Sequence, residues 1–183
     1  MIKKTTLLTG GSRSGKSGHA LKLSEKYNKK LFLATAEPLD DEMQERIKRH
    51  QAERGKDWTT LEEPLDVTEV LKKEFEDYEV LVLDCVTLWL SNLIMSGADR
   101  ETILTKLHNF IDQCKKINGH IIVITNELGS GIIPMDASVR AFRDVAGEAN
   151  QMLASEFDEV INMVSGIPVL IKSTNSTNED KLK

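Results

Sequence analysis

Eight consecutive residues, Gly10-Gly11-Ser12-Arg13-Ser14-Gly15-Lys16-Ser17, satisfy the pattern G-x-x-x-x-G-K-[ST] at every fixed position. Glycine tolerates the backbone angles that fold a loop inward, so that its N–H groups converge on an anion. A helix beginning at the end of such a loop adds its positive dipole end at the same point. Lys16 would then reach the β- and γ-phosphates of a nucleoside triphosphate, and the Ser17 hydroxyl would join a Mg²⁺ shell. A plain Gly/Ser turn has no need to lie between a strand and a helix, whereas the apolar run before Gly10 and the helical pattern after Ser17 frame this one. Asp84 complements the loop, because it closes an apolar run beginning at Glu79. A carboxylate at the carboxyl edge of a sheet can hold Mg²⁺ directly or through water. The same position also suits a cap for a helix starting at Val86, and the two roles are compatible.

A second group with chemical potential lies at Asp41 to Arg54. Arg46, His50 and Arg54 follow the i, i+4, i+8 spacing of one helix ridge, with Arg49 beside them and Met43 and Ile47 forming the adjoining apolar stripe. Neighbouring cations disfavour protonation and keep an imidazole neutral and nucleophilic. Such a histidine can attack an α-phosphate while arginines take up charge on the phosphoryl oxygens. On residue types alone, a single histidine on a charged helix is more often a solvated surface group. His19, His108 and His120 take that same reading, since nothing in the sequence gathers partners around them.

These groups need elements to position them. Lys4 to Thr9, Leu31 to Ala36, Trp58 to Leu61, Glu79 to Asp84, His120 to Thr125, Glu159 to Val164 and Val169 to Lys172 read as strands. Helical patterns run from the Gly-rich turn to about Tyr27, from Asp40 or Asp41 to Arg54 before Gly55, and from Asp66 to about Phe75. Asp66 with Glu69 makes a capping-box pattern there. Further helices are expected at Val86 to Met95, about Arg100 to Ile117, and Ser138 to Phe157. Alternating strands and helices predict an α/β fold of the P-loop NTPase type, with a mostly parallel sheet covered on both faces. The last two strands, joined by Ser165-Gly166-Ile167-Pro168, add a C-terminal antiparallel hairpin. Residues 1–172 are expected to form one nucleotide-binding catalytic domain, and 173–183 a polar flexible tail.

Bulk composition narrows the function classes. With 183 residues, 40% hydrophobic and 29% charged, the chain can bury one good core. A formal net charge of −5 disfavours general nucleic-acid binding, which needs clustered cations, but leaves a local basic pocket for small phosphorylated ligands. Cys85 and Cys114 suggest reduced thiols and no disulfide framework. No run approaches the roughly 18 apolar residues of a membrane span, and the N-terminus has no signal-peptide pattern. The expectation is a cytoplasmic protein without a membrane span.

Several segments in order point further: Thr9 to Ser17, Ala34-Thr35-Ala36, and Asp41-Glu42-Met43 leading to Arg46, Ile47, His50 and Arg54. Trp58, Thr60, Glu62-Glu63-Pro64, Leu83-Asp84-Cys85 and Thr87 to Asn92 follow. Thr125-Asn126-Glu127, Gly129 to Ile132, Phe142-Arg143-Asp144, Gly147, Asn150 and Gln151 complete the set. Over Leu8 to Lys172 the chain resembles the bifunctional adenosylcobinamide kinase / adenosylcobinamide-phosphate guanylyltransferase family of cobalamin biosynthesis. The resemblance implies phosphorylation of adenosylcobinamide by ATP or GTP, followed by GMP transfer from GTP to the phosphate. The products of that transfer are adenosylcobinamide-GDP and pyrophosphate. It further implies that His50 carries GMP as a phosphoramidate and that Lys16 shares the catalysis. Ala34, Thr35, Ala36, Gln51, Ala52, Glu53, Arg54, Glu62 and Asp84 become nucleotide contacts alongside Gly10 to Ser17, with Mg²⁺ held by Ser17 and Asp84 through the nucleotide. Glu62 suits guanine, since a carboxylate accepts from N1–H and the 2-amino group together. The family is a trimer whose corrinoid binds near a subunit boundary, and Gly129 to Gly131 and Arg143 serve either substrate or interface.

The competing reading closest to this one is a P-loop small-molecule kinase without nucleotidyl transfer, its arginine-rich helix acting as a lid. A motor-type ATPase would need a basic groove with interleaved aromatics, against a 5% aromatic content. A nucleotide sensor would bind GTP without turnover.

Overall fold

The computed structural model of the chain describes residues 3–38 and 40–174, leaving aside the side chains of Glu42, Met43, Arg46, His50 and Glu53. Seven strands and six α-helices are described: β1 Lys4–Gly10, α1 Lys16–Ser24, β2 Lys30–Ala34, α2 Asp41–Arg54, β3 Trp58–Glu62, α3 Val67–Glu74, β4 Val80–Asp84, α4 Val86–Met95, α5 Arg100–Cys114, β5 His120–Ile124, α6 Ala137–Glu156, β6 Glu159–Val164 and β7 Ile167–Ser173. The sheet order is β3-β2-β4-β5-β1-β6-β7. All neighbours pair in parallel except β6 and β7. Every parallel pair needs a crossover, and helices supply it.

Strand alternation divides the core. Leu7, Leu81, Leu83, Ile121 and Val123 face one side, where α3, α4, α5 and α6 bury Leu71, Trp89, Phe110 and Leu153 against them. Leu8, Val80, Val82, Ile122 and Ile124 face the other, packed by Ala20 and Leu23 of α1. The central strands thus bury both faces, which is why they read as unbroken apolar runs. No helix among the described residues is long and apolar enough to cross a membrane.

Several expectations change. The capping box at Asp66 does not form: Asp66 accepts no cap bond in α3 and instead pairs with Lys106 at 2.8 Å, while Glu69 pairs with Lys72. Glu63 takes over this turn, accepting from the N–H groups of Leu65 and Asp66. Strand β7 starts at Ile167 and so includes Pro168, which an edge strand tolerates because a missing N–H there costs no ladder bond. Helix α1 stops at Ser24, whose hydroxyl donates back to the Ala20 carbonyl. The expected tail at 173–183 lies largely outside the described residues, since Ser173 ends β7 and only Thr174 follows it.

His120 departs most from its surface reading. It is 1% exposed, with Nε2 2.9 Å from Thr6 Oγ1 and Nδ1 3.0 Å from the Tyr27 hydroxyl. The Thr6 hydroxyl donates to Glu159, so it accepts from Nε2–H, and Nδ1 accepts from Tyr27. The ring is a satisfied neutral core group, and burial, followed by the charge of Lys4, pulls its pKa down to about 3.

Because that folded value lies below the ordinary one near 6.5, the unfolded chain takes up this proton first as pH falls. The stability due to His120 is therefore present above about pH 6.5 and is lost progressively toward pH 3. Urea unfolding of the wild type and His120→Gln should show the wild type's advantage shrinking by about 1–2 kcal/mol between pH 7 and pH 5.

Candidate nucleotide site

The carboxyl ends of the central strands meet at one cavity. In register, Ala34 lies beside Asp84, Asp84 beside Ile124, and Ile124 beside Leu8. The strand ends therefore finish level with the loop that follows β1. A cavity of about 480 Å³ opens there, lined by Arg13 to Gly18, by Ala34, Ala36, Glu62, Asp84 and Asn126, and by Ile47, Arg49, Gln51 and Arg54 of α2.

The Gly-rich loop has the backbone its sequence demands. Gly10, Arg13 and Gly15 have φ of 141°, 56° and 95°, and Gly15 stands at the N-cap of α1. A Cβ on Gly10 would lie 2.5 Å from the Met163 carbonyl oxygen. The β6–β7 turn supports the loop from below, where Gly166 N–H donates to the Ser14 carbonyl at 3.0 Å. Lys16 is buried, and its ammonium donates to the carbonyls of Gly10 and Gly11 at 2.9 and 2.7 Å. This holds the charge across the loop mouth.

Ser17 and Asp84, 67 residues apart in the chain, meet directly: Ser17 Oγ donates to Asp84 Oδ2 at 2.9 Å. Asp84 is not a helix cap, as α4 has Cys85 at its N-cap and no side-chain cap bond. Two hard oxygen donors side by side fit a divalent cation shared with phosphate oxygens. Cys85 lines the same cavity, but burial, and then the Asp84 carboxylate, pushes its thiol up to about 12. It is no nucleophile at neutral pH.

The other expected contacts fall into distinct places. Ala34 and Ala36 line the wall, whereas Thr35 is fully buried behind it. Thr35 Oγ1 donates to the Cys85 carbonyl at 2.8 Å and accepts from Cys85 N–H at 2.9 Å. Asn92 then donates to the carbonyls of Thr35 and Pro64, tying the ends of β2, β3 and β4 together. Gln51 Nε2 lies 3.4 Å from Glu62 Oε1, joining α2 to β3. Arg54 lies over the Phe32 ring, 3.8 Å from its centroid. Ala52 is exposed. The α2 backbone carries His50 and Glu53, whose side chains lie outside the described residues. Arg143 donates to the carbonyls of Gly129 and Ile132, so its guanidinium braces the loop after β5.

Asn126 lines the cavity without having drawn a role from sequence. The available signal was its place just past an apolar strand, the same signal that singled out Asp84.

The chain matches the family model for cobinamide kinase / cobinamide phosphate guanyltransferase over residues 6–171. It is 38% identical to the bifunctional adenosylcobalamin biosynthesis protein CobU of Escherichia coli, covering 91% of this chain and 98% of that protein. It is 35% identical to the protein of the same name from Salmonella typhimurium, at 91% and 98% coverage. To the bifunctional adenosylcobalamin biosynthesis protein CobP of Pseudomonas aeruginosa it is 36% identical, at 91% and 96%.

The glycines of the loop should respond unequally to alanine. Gly10→Ala meets both a positive φ and a backbone oxygen, so thermal unfolding should show a loss of about 1–3 kcal/mol together with weakened nucleoside triphosphate binding. A Cβ on Gly11 meets nothing within 4 Å, and Gly11→Ala should stay within about 0.5 kcal/mol of the wild type.

Proposed function

The chain belongs to the cobinamide kinase / cobinamide phosphate guanyltransferase family, and from that membership we propose that one P-loop cavity serves both of its reactions. The protein is a bifunctional kinase and guanylyltransferase of cobalamin biosynthesis. What supports a shared cavity is its double lining: residues Arg13 to Gly18 form one wall, and α2, the helix that carries His50, contributes Ile47, Arg49, Gln51 and Arg54 to the other.

In the kinase reaction, the hydroxyl of the aminopropanol arm of adenosylcobinamide attacks the γ-phosphorus of ATP or GTP. The bond to the β–γ bridging oxygen breaks, the nucleoside diphosphate leaves with the electron pair, and the hydroxyl proton passes to solvent. The loop amides and the start of α1 hold the polyphosphate, and Lys16 offsets charge on its terminal oxygens. Ser17 and Asp84 would hold Mg²⁺, which supplies Lewis-acid neutralisation of the phosphate charge.

In the transferase reaction, the His50 imidazole attacks the α-phosphorus of GTP and pyrophosphate leaves. An oxygen of adenosylcobinamide-phosphate then attacks the same phosphorus, the P–N bond breaks and the imidazole is restored, giving adenosylcobinamide-GDP. Arg49 and Arg54 are the described cations of α2 that line the cavity, and they suit the charge on the transferred phosphoryl group. Glu62 is assigned to the guanine edge, with Gln51 holding its carboxylate. Residues 1–172 act as one catalytic domain, which works in the cytoplasm as a homotrimer.

Incubation with GTP and Mg²⁺, followed by mass spectrometry, should find one GMP on the peptide containing His50, labile to acid. His50→Ala should lose the adduct and lower guanylyl transfer by roughly three orders of magnitude or more, while retaining kinase activity. Undiminished formation of adenosylcobinamide-GDP by that variant would overturn the covalent route.

A further inference from the structure

Strand β5 lies between the strand that feeds the phosphate loop and the strand that ends on Asp84. Ile124 pairs with Leu8 on one side and with Asp84 on the other. Two residues farther on, in the loop just past β5, Asn126 lines the cavity with Ile124.

The backbone of Asn126 is held from two sides. Its N–H donates to Thr87 Oγ1 of α4 at 2.9 Å, and its carbonyl accepts from Asn150 Nδ2 of α6 at 3.1 Å. Asn150 is itself held, because its Oδ1 accepts from Thr125 Oγ1 at 2.7 Å. The next residue is tied to the phosphate loop through Glu127 N–H and the Gly10 carbonyl at 3.0 Å. Thr87 and Thr125 are buried, and the bonds they make here are part-buried. Among the described residues, the carboxamide of Asn126 has no hydrogen-bond partner of its own. Contacts from α4, α6 and the loop after β1 thus fix the Asn126 backbone at the cavity wall while leaving its side-chain donor uncommitted.

We propose that the Asn126 carboxamide is a catalytic group of the kinase reaction, donating from Nδ2 to a γ-phosphoryl oxygen as charge builds there in transfer. The assignment rests on the reading of this cavity as the triphosphate site. During phosphoryl transfer, charge spreads over the three equatorial oxygens of the moving group. A neutral donor carried on a backbone fixed in advance stabilises that charge with little reorganisation. Lys16, which spans the loop, serves the terminal phosphates, and Asp84 with Ser17 suits the metal. Asn126 adds a contact from the loop that follows the strand between them. Guanylyl transfer breaks the bond at the α-phosphorus, so the two reactions depend on this donor to different extents. Thr87 is a positioning residue, acting through the Asn126 backbone.

The test compares wild type, Asn126→Ala and the near-isosteric Asn126→Asp, with melting temperature as the folding control. For each, kinase kcat and KM are measured with adenosylcobinamide, alongside the rate of protein guanylylation from GTP. Both variants should lose ~10²-fold in kinase kcat with KM for the nucleotide little changed. The ratio of kinase to guanylylation rate should fall by ~10-fold or more. Thr87→Val should show the same split in smaller degree. If the kinase rate of both Asn126 variants is unchanged, or the two activities fall in parallel, the assignment is wrong. A wild type that neither binds GTP nor phosphorylates adenosylcobinamide would instead overturn the triphosphate reading of the cavity.

Discussion

The Gly-rich loop between β1 and α1 keeps its concave form because it rests on the β6–β7 turn. Gly166 N–H donates to the Ser14 carbonyl, and Gly10 packs so close to the Met163 carbonyl that no side chain fits between them. Backbone N–H groups can converge on an anion only while the loop holds this curvature. Every other group at the cavity is placed relative to it. The C-terminal hairpin, an edge of the sheet by topology, is therefore also the floor beneath the loop.

Around this loop the cavity is bounded by two buried polar networks. Thr35, Cys85, Asn92 and Pro64 lock together the ends of β2, β3 and β4. The side chains of Thr87, Thr125 and Asn150 do the same for the Asn126 backbone after β5, between α4 and α6. Buried polar groups stabilise a structure only when fully satisfied, and no described buried side-chain polar atom lacks a partner. A wall built this way holds strand ends within narrow limits, which suits chemistry that depends on positioning more than on reactive protein groups.

Electrostatics at the site runs against the overall charge. The chain carries a formal charge of −5, yet Arg13, Lys16, Arg49 and Arg54 line the cavity. These local cations set the field inside the cavity, because screening confines the influence of distant surface carboxylates. Glu62 and Asp84 are the acids among the described lining residues. Asp84 meets the loop hydroxyl of Ser17 and Glu62 meets Gln51, so the two acids sit at different parts of the cavity.

The turn of the Gly-rich loop, the strand that ends on Asp84 and the alternation of strands and helices were legible in the sequence because each is a local pattern. A motif of eight residues dictates its own turn, and apolar periodicity dictates which face of an element is buried. Even the deviations at element ends, such as Pro168 inside β7 or α1 stopping at Ser24, are matters of two or three residues. Contacts between distant segments were another matter. That Asp66 forgoes its cap for Lys106, that Tyr27 and Thr6 enclose His120, and that the hairpin turn supports the loop all follow from which strands lie side by side. Sheet order places β6 next to β1 and β5 between β1 and β4. The energy that selects this order is spread over the whole core, so no short stretch of sequence carries it.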